Sequence, residues 1–324
     1  MNAPQNFLGL NPQQLRSFEI FFPYAHDRTL KAATSGQRFV HYTGADSALK
    51  IFRTKEIWLR KSTCMNDFRE IEHGFDCLNH AYKERKAKFQ ELFDPMFPGF
   101  SSKLEKQFND WLPHFRSDTY ITCLSEHHEN EDRTGRLSMW RAYGGDAGVA
   151  LVLNARVFLS PSDALGAYSS PVAYLAQNEF LESFDNLLAG VHGNAEFIRS
   201  LGEDVVLNCM FTAFRLAVLC TKHPGFREEL EWRVIYSPRY QPSARIRRDI
   251  ESINGTPQPV CKIALEDVPD EGLVGAAIPS LVERIIIGPS RHPDVMWEAF
   301  VDLLREIGVE APESRVFASD IPLR

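Results

Sequence analysis

The sequence has little of what marks an exported, membrane-spanning or nucleic-acid-coating protein. Its six cysteines among 324 residues (Cys64, Cys77, Cys123, Cys209, Cys220, Cys261) form no Cys-x-x-Cys pair and no metal-ligand spacing. Several lie in apolar company, as in Ile121-Thr122-Cys123-Leu124 and Val218-Leu219-Cys220, the pattern of buried reduced thiols in a cytoplasmic protein. No apolar run reaches membrane-spanning length, and no N-terminal signal, repeat or low-complexity tract stands out. The net charge of −7 gives no global basic field for nucleic acid. The basic runs Lys83–Lys88 and Arg245–Arg248 read as solvated helix or loop faces. The glycines and lysine of a phosphate-binding loop, a Gly-x-Ser-x-Gly elbow and a Cys/His pairing are all missing, which turns the reading away from the common hydrolases. The expectation is a soluble cytoplasmic protein with no membrane partner.

What the chain does have is core: 44% of it is hydrophobic and 23 residues are Phe. A possible amphipathic helix at Pro12–Phe22 and a polar loop at Thr34–Gln37 read as an N-terminal extension over 1–37. Residues 38–324 read as a single α+β domain with a helical excursion around 80–117. A strand–helix–strand unit is expected over 39–60, a helix from Phe68 to Leu92 and a strand at Thr119–Leu124. A short helix ending at Gly144-Gly145, a strand at Gly148–Leu153 and a largely helical stretch over 177–220 follow. Further strands are expected late in Glu228–Tyr236 and at 259–264, 282–287 and 315–318, with a helix at about 294–307. The fold class is therefore α+β, a small split or antiparallel-rich sheet flanked by helices.

Four groups of residues can carry chemistry. His41-Tyr42-Thr43 ends the first strand, where a His can bond a hydroxyl and an aromatic ring can stack on a ligand. Its bland alternative is an ordinary strand terminus. Glu229 and Glu231, two apart on an extended segment, fall on one side of the strand and can stabilise a cationic carbon centre. Against that stands an acidic turn entering a strand, with Glu231 paired to an Arg on the surface. Trp140 and Tyr143, at i and i+3, are expected to share a helix face, with Arg141 beside them as a two-pronged phosphate donor or a solvated cation. Asp67 with Glu70 reads as a helix capping box in preference to a metal site, and no metal is expected.

Taken together these motifs resemble a bacterial family of unknown function. The resembling elements are His41-Tyr42-Thr43, Asn66–Glu70, Ser138–Tyr143, Glu231–Arg233, Ile286–Pro289 and Ser319–Arg324, in family order from about Phe39 to the end. Members of that kind look like accessory or effector proteins of phage-defence and mobile-element loci, so the resemblance implies a defence-system partner protein. A second, weaker resemblance is to ADP-ribosyltransferases, including DNA-targeting toxins. It implies an ADP-ribosyltransferase-like core, NAD as substrate without a metal, His41 as the NAD-ribose ligand and Glu231 as the catalytic carboxylate. It also makes Glu229 the first Glu of an E-x-E turn and Tyr143 the nicotinamide-stacking ring. Tyr42, Thr43, Trp140, Arg141 and Arg233 complete the expected substrate-binding set. The alternatives are a non-catalytic sensor of a nucleotide or phage product, and a Mg²⁺ nuclease built on Asn66, Asp67 and Glu70.

Overall fold

The computed structural model describes residues 8–64, 68–253 and 255–322. Asn66, Asp67, Leu323 and Arg324 lie outside the described residues, as does the side chain of Glu70, so the capping box falls there too. In chain order the elements are α1 (Pro12–Phe21), α2 (Pro23–Ser35), β1 (Arg38–Gly44), α3 (Ala45–Thr54), β2 (Glu56–Lys61), α4 (Phe68–Phe93) and α5 (Phe100–Ser117). Next come β3 (Tyr120–His127), α6 (Leu137–Met139), a π-helical turn (Trp140–Gly144), β4 (Gly148–Asn154), α7 (Arg156–Leu159), β5 (Tyr168–Pro171) and β6 (Ala173–Tyr174). They continue with α8 (Gln177–Gly193), α9 (Ala195–Leu201), α10 (Glu203–Leu219), β7 (Thr221–Lys222), β8 (Glu231–Tyr236) and β9 (Ile246–Ile253). β10 (Thr256–Ala264), α11 (Ile278–Leu281), β11 (Val282–Ile287), α12 (Pro293–Glu306) and β12 (Val316–Ala318) complete the chain.

Two expectations change. The stretch expected as a loop from Thr34 is still helix through Ser35, because α2 begins afresh at Pro23, whose fixed φ suits a first helical position. Arg245–Arg248 enters strand β9 instead of a helix or loop. There Arg247 reaches Glu56 and Asp249, so the charges lie along a sheet edge.

The chain divides into two compact units. One takes the described parts of Met1–Leu30, Lys61–Thr119 and Ser170–Arg227. It is mainly helical, with β6 and β7 as a short parallel pair. Its α1 opens on a capping box in which Asn11 and Gln14 exchange side-chain bonds of 2.8 and 3.0 Å with each other's backbone N–H. The apolar repeat of α4 buries Ile71, Phe75 and Leu78. At Gly74 a Cβ would lie 2.3 Å from the Val218 carbonyl oxygen, so α4 and α10 touch there backbone to backbone. Phenylalanines fill the rest: Phe93 stacks on Phe100 at 4.8 Å and on Phe89 at 4.5 Å, and Phe214 meets Phe108 edge-on.

The other unit takes Lys31–Arg60, Tyr120–Ser169 and the described part of Glu228–Arg324. It is built on a mixed sheet in the order β12-β11-β4-β1-β3-β2-β10-β9, with β8 also on β3. β11 and β12 run parallel, whereas β1–β3, β1–β4, β3–β8, β4–β11, β2–β10 and β9–β10 are antiparallel. One face carries Phe39, Leu151, Trp232 and Ile285 beneath Phe52 of α3 and Phe300 of α12. The opposite face carries Val40, Tyr42, Ala150, Val152 and Ile286 beneath Met139 and Trp140. The expected antiparallel-rich sheet flanked by helices is therefore present.

Trp140 fixes that second face. Its Nε1–H donates to the Thr134 carbonyl at 2.8 Å, and its ring meets Tyr42 edge-on at 4.8 Å. Glycines surround it: a Cβ at Gly135, Gly148 or Gly288 would come within 2.6, 3.1 or 2.9 Å of the indole. The Gly288→Ala variant is expected to lose about 1–3 kcal/mol through overpacking against this ring. A lowered urea midpoint at unchanged slope tests it; wild-type stability would show that the indole has room to move.

Candidate functional site

Strand β1 pairs with β3 only as far as Val40, opposite Ser125, yet stays paired with β4 to Gly44. Just past that point the ring of His41 takes over from the ladder, with Nδ1 3.0 Å from the Cys123 carbonyl oxygen. A carbonyl only accepts, so Nδ1 carries the hydrogen and Nε2 of the neutral ring is an acceptor. Strand carbonyls point sideways within the sheet, which puts the imidazole in the notch where β1 and β2 part. Burial pulls the His41 pKa below its ordinary value, against the opposing pull of the Cys123 bond. Among the described residues, Nε2 has no hydrogen-bond partner. Thr43, half-buried, follows two residues on along the same side of β1.

On the other edge of β3, Ser125 faces Glu231 and Cys123 faces Arg233. Glu231 is 5% exposed and Arg233 1% exposed, and Arg233 Nε donates to Glu231 Oε1 at 2.7 Å. His41 and Glu231 thus flank β3 on neighbouring rows, two strand spacings or about 10 Å apart. The pleat assigns them opposite faces: Glu231 falls in line with Ser125 and Val40, and His41 with Phe39 and Leu151. Contact between the two can run only through the notch.

Glu229 does not share a strand side with Glu231. It closes a 3₁₀ turn (Pro224–Glu229), and Leu230, at φ 46°, turns the chain sharply before β8 starts. A left-handed leucine is strained, and the surroundings that hold it are specific. The Leu230 carbonyl accepts from Glu126 N–H at 2.9 Å. The carbonyls of Glu228 and Glu229 accept from one nitrogen of Arg136 at 2.9 and 3.2 Å. The other terminal nitrogen of Arg136 donates to the Glu126 carbonyl at 2.8 Å and to Glu131 at 3.0 Å, and its Nε donates to Glu131 at 2.8 Å. All five guanidinium hydrogens are thereby used. The Arg136 backbone N–H donates to the Tyr42 hydroxyl at 2.8 Å, so the same residue also reaches β1.

Beside this clamp lies a second charged knot. Asp132 accepts from Arg38 at 2.8 Å and from His127 Nε2 at 2.8 Å, with Arg284 at 3.7 Å. Burial alone raises the Asp132 and Glu131 carboxyls; the bonds from Arg38 and His127 to the first, and from Arg136 to the second, hold both below their ordinary values. His127 is lowered, by burial first and by the Arg38 charge, against its bond to Asp132. None of Arg38, Glu126, His127, Glu131, Asp132, Arg136 or Arg284 is an expected site residue. The signal that marks most of them is the charge density of Glu126–Arg136 between two apolar strands.

The expected aromatic platform comes apart. Tyr42 and Trp140 are buried against each other, and burial raises the Tyr42 hydroxyl to about 12. Tyr143 is instead 37% exposed, because residues 140–144 wind as a π-helix and i and i+3 no longer share a face. Arg141 is exposed and makes no ion pair or hydrogen bond among the described residues. His73, a possible ligand partner of Glu70, bonds through Nε2 with the Leu175 carbonyl at 2.9 Å.

Two outcomes follow from these charges. Truncating the clamp with Arg136→Met leaves Glu131 and three carbonyls without their donor and is expected to cost about 3 kcal/mol. Chemical denaturation measures this, and a loss below about 1 kcal/mol would show that the clamp is replaceable. His41 and His127 have folded pKa values below 6.5, so the unfolded chain takes up protons first. Their contribution is fully present above about pH 6.5 and is lost as pH falls below it. Urea midpoints are expected to fall between pH 7.5 and 5.5, and the His41→Asn/His127→Gln double variant to flatten that slope. An equal slope in the double variant would assign it to other groups.

Among the described residues no three His, Cys, Asp or Glu side chains gather as a metal-holding group, and no helix is long and apolar enough to cross a membrane. No curated protein and no solved structure matches the chain. Residues 139–234 match a family described as a protein of unknown function (DUF2971), a stretch that takes in Trp140–Tyr143 and Glu231–Arg233 but not His41 or Ile286–Pro289. That match supports a likeness to a bacterial family of unknown function.

Proposed function

We propose that the chain cleaves the nicotinamide–ribose bond of NAD, handing the ADP-ribosyl group to water or to a macromolecular acceptor. The observation that carries this reading is the neutral His41, held by the Cys123 carbonyl in the notch of β1 and β3 with Nε2 unpartnered, one row from the buried Glu231–Arg233 pair. Nε2 would accept a ribose hydroxyl, and Thr43 would serve as a neighbouring hydroxyl. Arg141, on the π-turn, would meet a phosphate.

In the step itself the C1′–N1 bond breaks and its electron pair leaves with neutral nicotinamide. The positive charge left on the ribosyl carbon is stabilised by the Glu231 carboxylate in a water-poor setting. A water or acceptor hydroxyl then bonds to C1′ and gives up its proton. Arg233 holds the Glu231 carboxylate in one orientation, and Arg136 holds the turn that delivers it.

NAD labelled in the nicotinamide ring, incubated with the full chain and cell extract, is expected to release nicotinamide. Glu231→Gln is expected to lower the rate about 10²–10³-fold, and His41→Asn to raise KM more than it lowers kcat. Absence of both nicotinamide release and label transfer, or a Glu231→Gln variant as fast as the parent, would sink the reading. A second reading, a nucleotide-binding module without turnover, is favoured by the opposite faces assigned to His41 and Glu231. Saturable NAD binding with no product would select it, and would fit a sensor in a defence system.

A further inference from the structure

The mainly helical unit contains a cavity of about 130 Å³. Its walls are Phe21 and Phe22 at the end of α1, Phe180 and Phe184 of α8, and Phe214 and Ala217 of α10. No lining residue carries a charge. Tyr24, near the start of α2, also lines the cavity, is 41% exposed, and is tied by its hydroxyl to the Val172 carbonyl at 2.9 Å.

Besides Tyr24, three hydroxyl side chains break the apolar lining, those of Ser170, Ser183 and Thr221. Ser170 is already bonded to the Pro171 carbonyl. Thr221 is 2% exposed, and its hydroxyl makes no hydrogen bond among the described residues. The cavity is the space that it lines. A buried hydroxyl is normally satisfied, and one left open costs free energy.

We propose that this cavity is a binding site for a small uncharged aromatic molecule bearing one hydrogen-bonding oxygen, with the ring among the phenylalanines and the oxygen on Thr221. Volume sets the size. An apolar cavity of about 150 Å³ accepts benzene, so a space of about 130 Å³ has room for one ring. The absence of charge from the lining excludes carboxylates and amines, because desolvating either without a partner is costly. The unpartnered hydroxyl selects a phenol over a plain hydrocarbon.

Phenol and toluene serve as probes on the full chain, by calorimetry and by the ligand-dependent rise in Tm. Phenol is expected to bind tighter than toluene. Thr221→Val, which keeps the shape and removes the oxygen, is expected to weaken phenol about five- to tenfold and to leave toluene unchanged. Ala217→Leu is expected to fill the space and abolish both, with Ser183→Leu as a second filling variant should the first misfold. The proposal is overturned if neither probe binds at millimolar concentration. It is equally overturned if phenol binds Thr221→Val or the folded filling variant as it binds the parent. None of these readings depends on NAD, so their failure and that of the proposed activity are separate.

Discussion

A β-strand has two edges, and β3 has three neighbours. β8 occupies one edge from Tyr120 to Ser125. β1 and β2 must therefore divide the other, with β1 holding Ser125–His127. Two strands that share an edge end to end have to diverge, and the backbone groups at the divergence lose their ladder partners. Near that divergence the Cys123 carbonyl accepts from a side chain, His41 Nδ1–H. The tautomer of the imidazole, its place in the sheet plane and its outward-facing acceptor all follow from that shortage of edges. A histidine at position 39 or 40, where β1 is paired with both β3 and β4, would meet a complete ladder and have none of these properties.

The second constraint is a strained turn. Leu230 adopts a left-handed conformation that a leucine avoids, and the chain tolerates it because neighbouring groups over-determine it. Arg136 binds the two preceding carbonyls, Glu126 N–H binds that of Leu230 itself, and Glu131 holds Arg136 in place. Each partner is fixed in turn: Glu131 closes on the His128 N–H, and Asp132 next to it joins Arg38 to His127. The loop after β3 is thus a rigid charged brace whose output is the direction in which Glu231 enters β8. A brace of this kind is costly to leave half satisfied, which is why its failure would be felt in stability before it was felt in any chemistry.

The sheet unit was readable where local pattern and tertiary demand agree. Phe39–Arg60 shows its strand, helix and strand because each apolar period matches the face that it buries. The Ile285-Ile286-Ile287 run reads as a buried strand because both of its faces are covered. β9 was not legible, since an edge strand with Arg247, Arg248, Asp249 and Glu251 follows the needs of solvent and ion pairs instead of a core. The i, i+3 pairing of Trp140 and Tyr143 failed for a different reason. It assumed an α-helical turn, and one extra residue per turn sends the second ring outward. Arg136 was invisible because its five acceptor atoms lie on four residues, Glu126, Glu131, Glu228 and Glu229, that form no shared motif, and three of them are backbone carbonyls that carry no residue identity.

Tyr42, Trp140, Ile286, Gly288, Ser319 and Ile321 come from four of the motif elements, and they gather around one indole. Ser319 donates to the same Thr134 carbonyl as the indole, and Ile321 packs on the same cluster. The tight glycine contacts explain why small residues occupy those positions without any appeal to a ligand. Most of what makes the sequence pattern recognisable is therefore packing around Trp140. The residues left over after that subtraction are His41 with its acceptor in the notch, Arg141 on the exposed side of the π-turn, and the Glu231–Arg233 pair. A site argued from this chain rests on those four and not on the density of the motifs. They divide between the two faces of the sheet, so the notch beside β3 is the place where a single ligand can meet both sides.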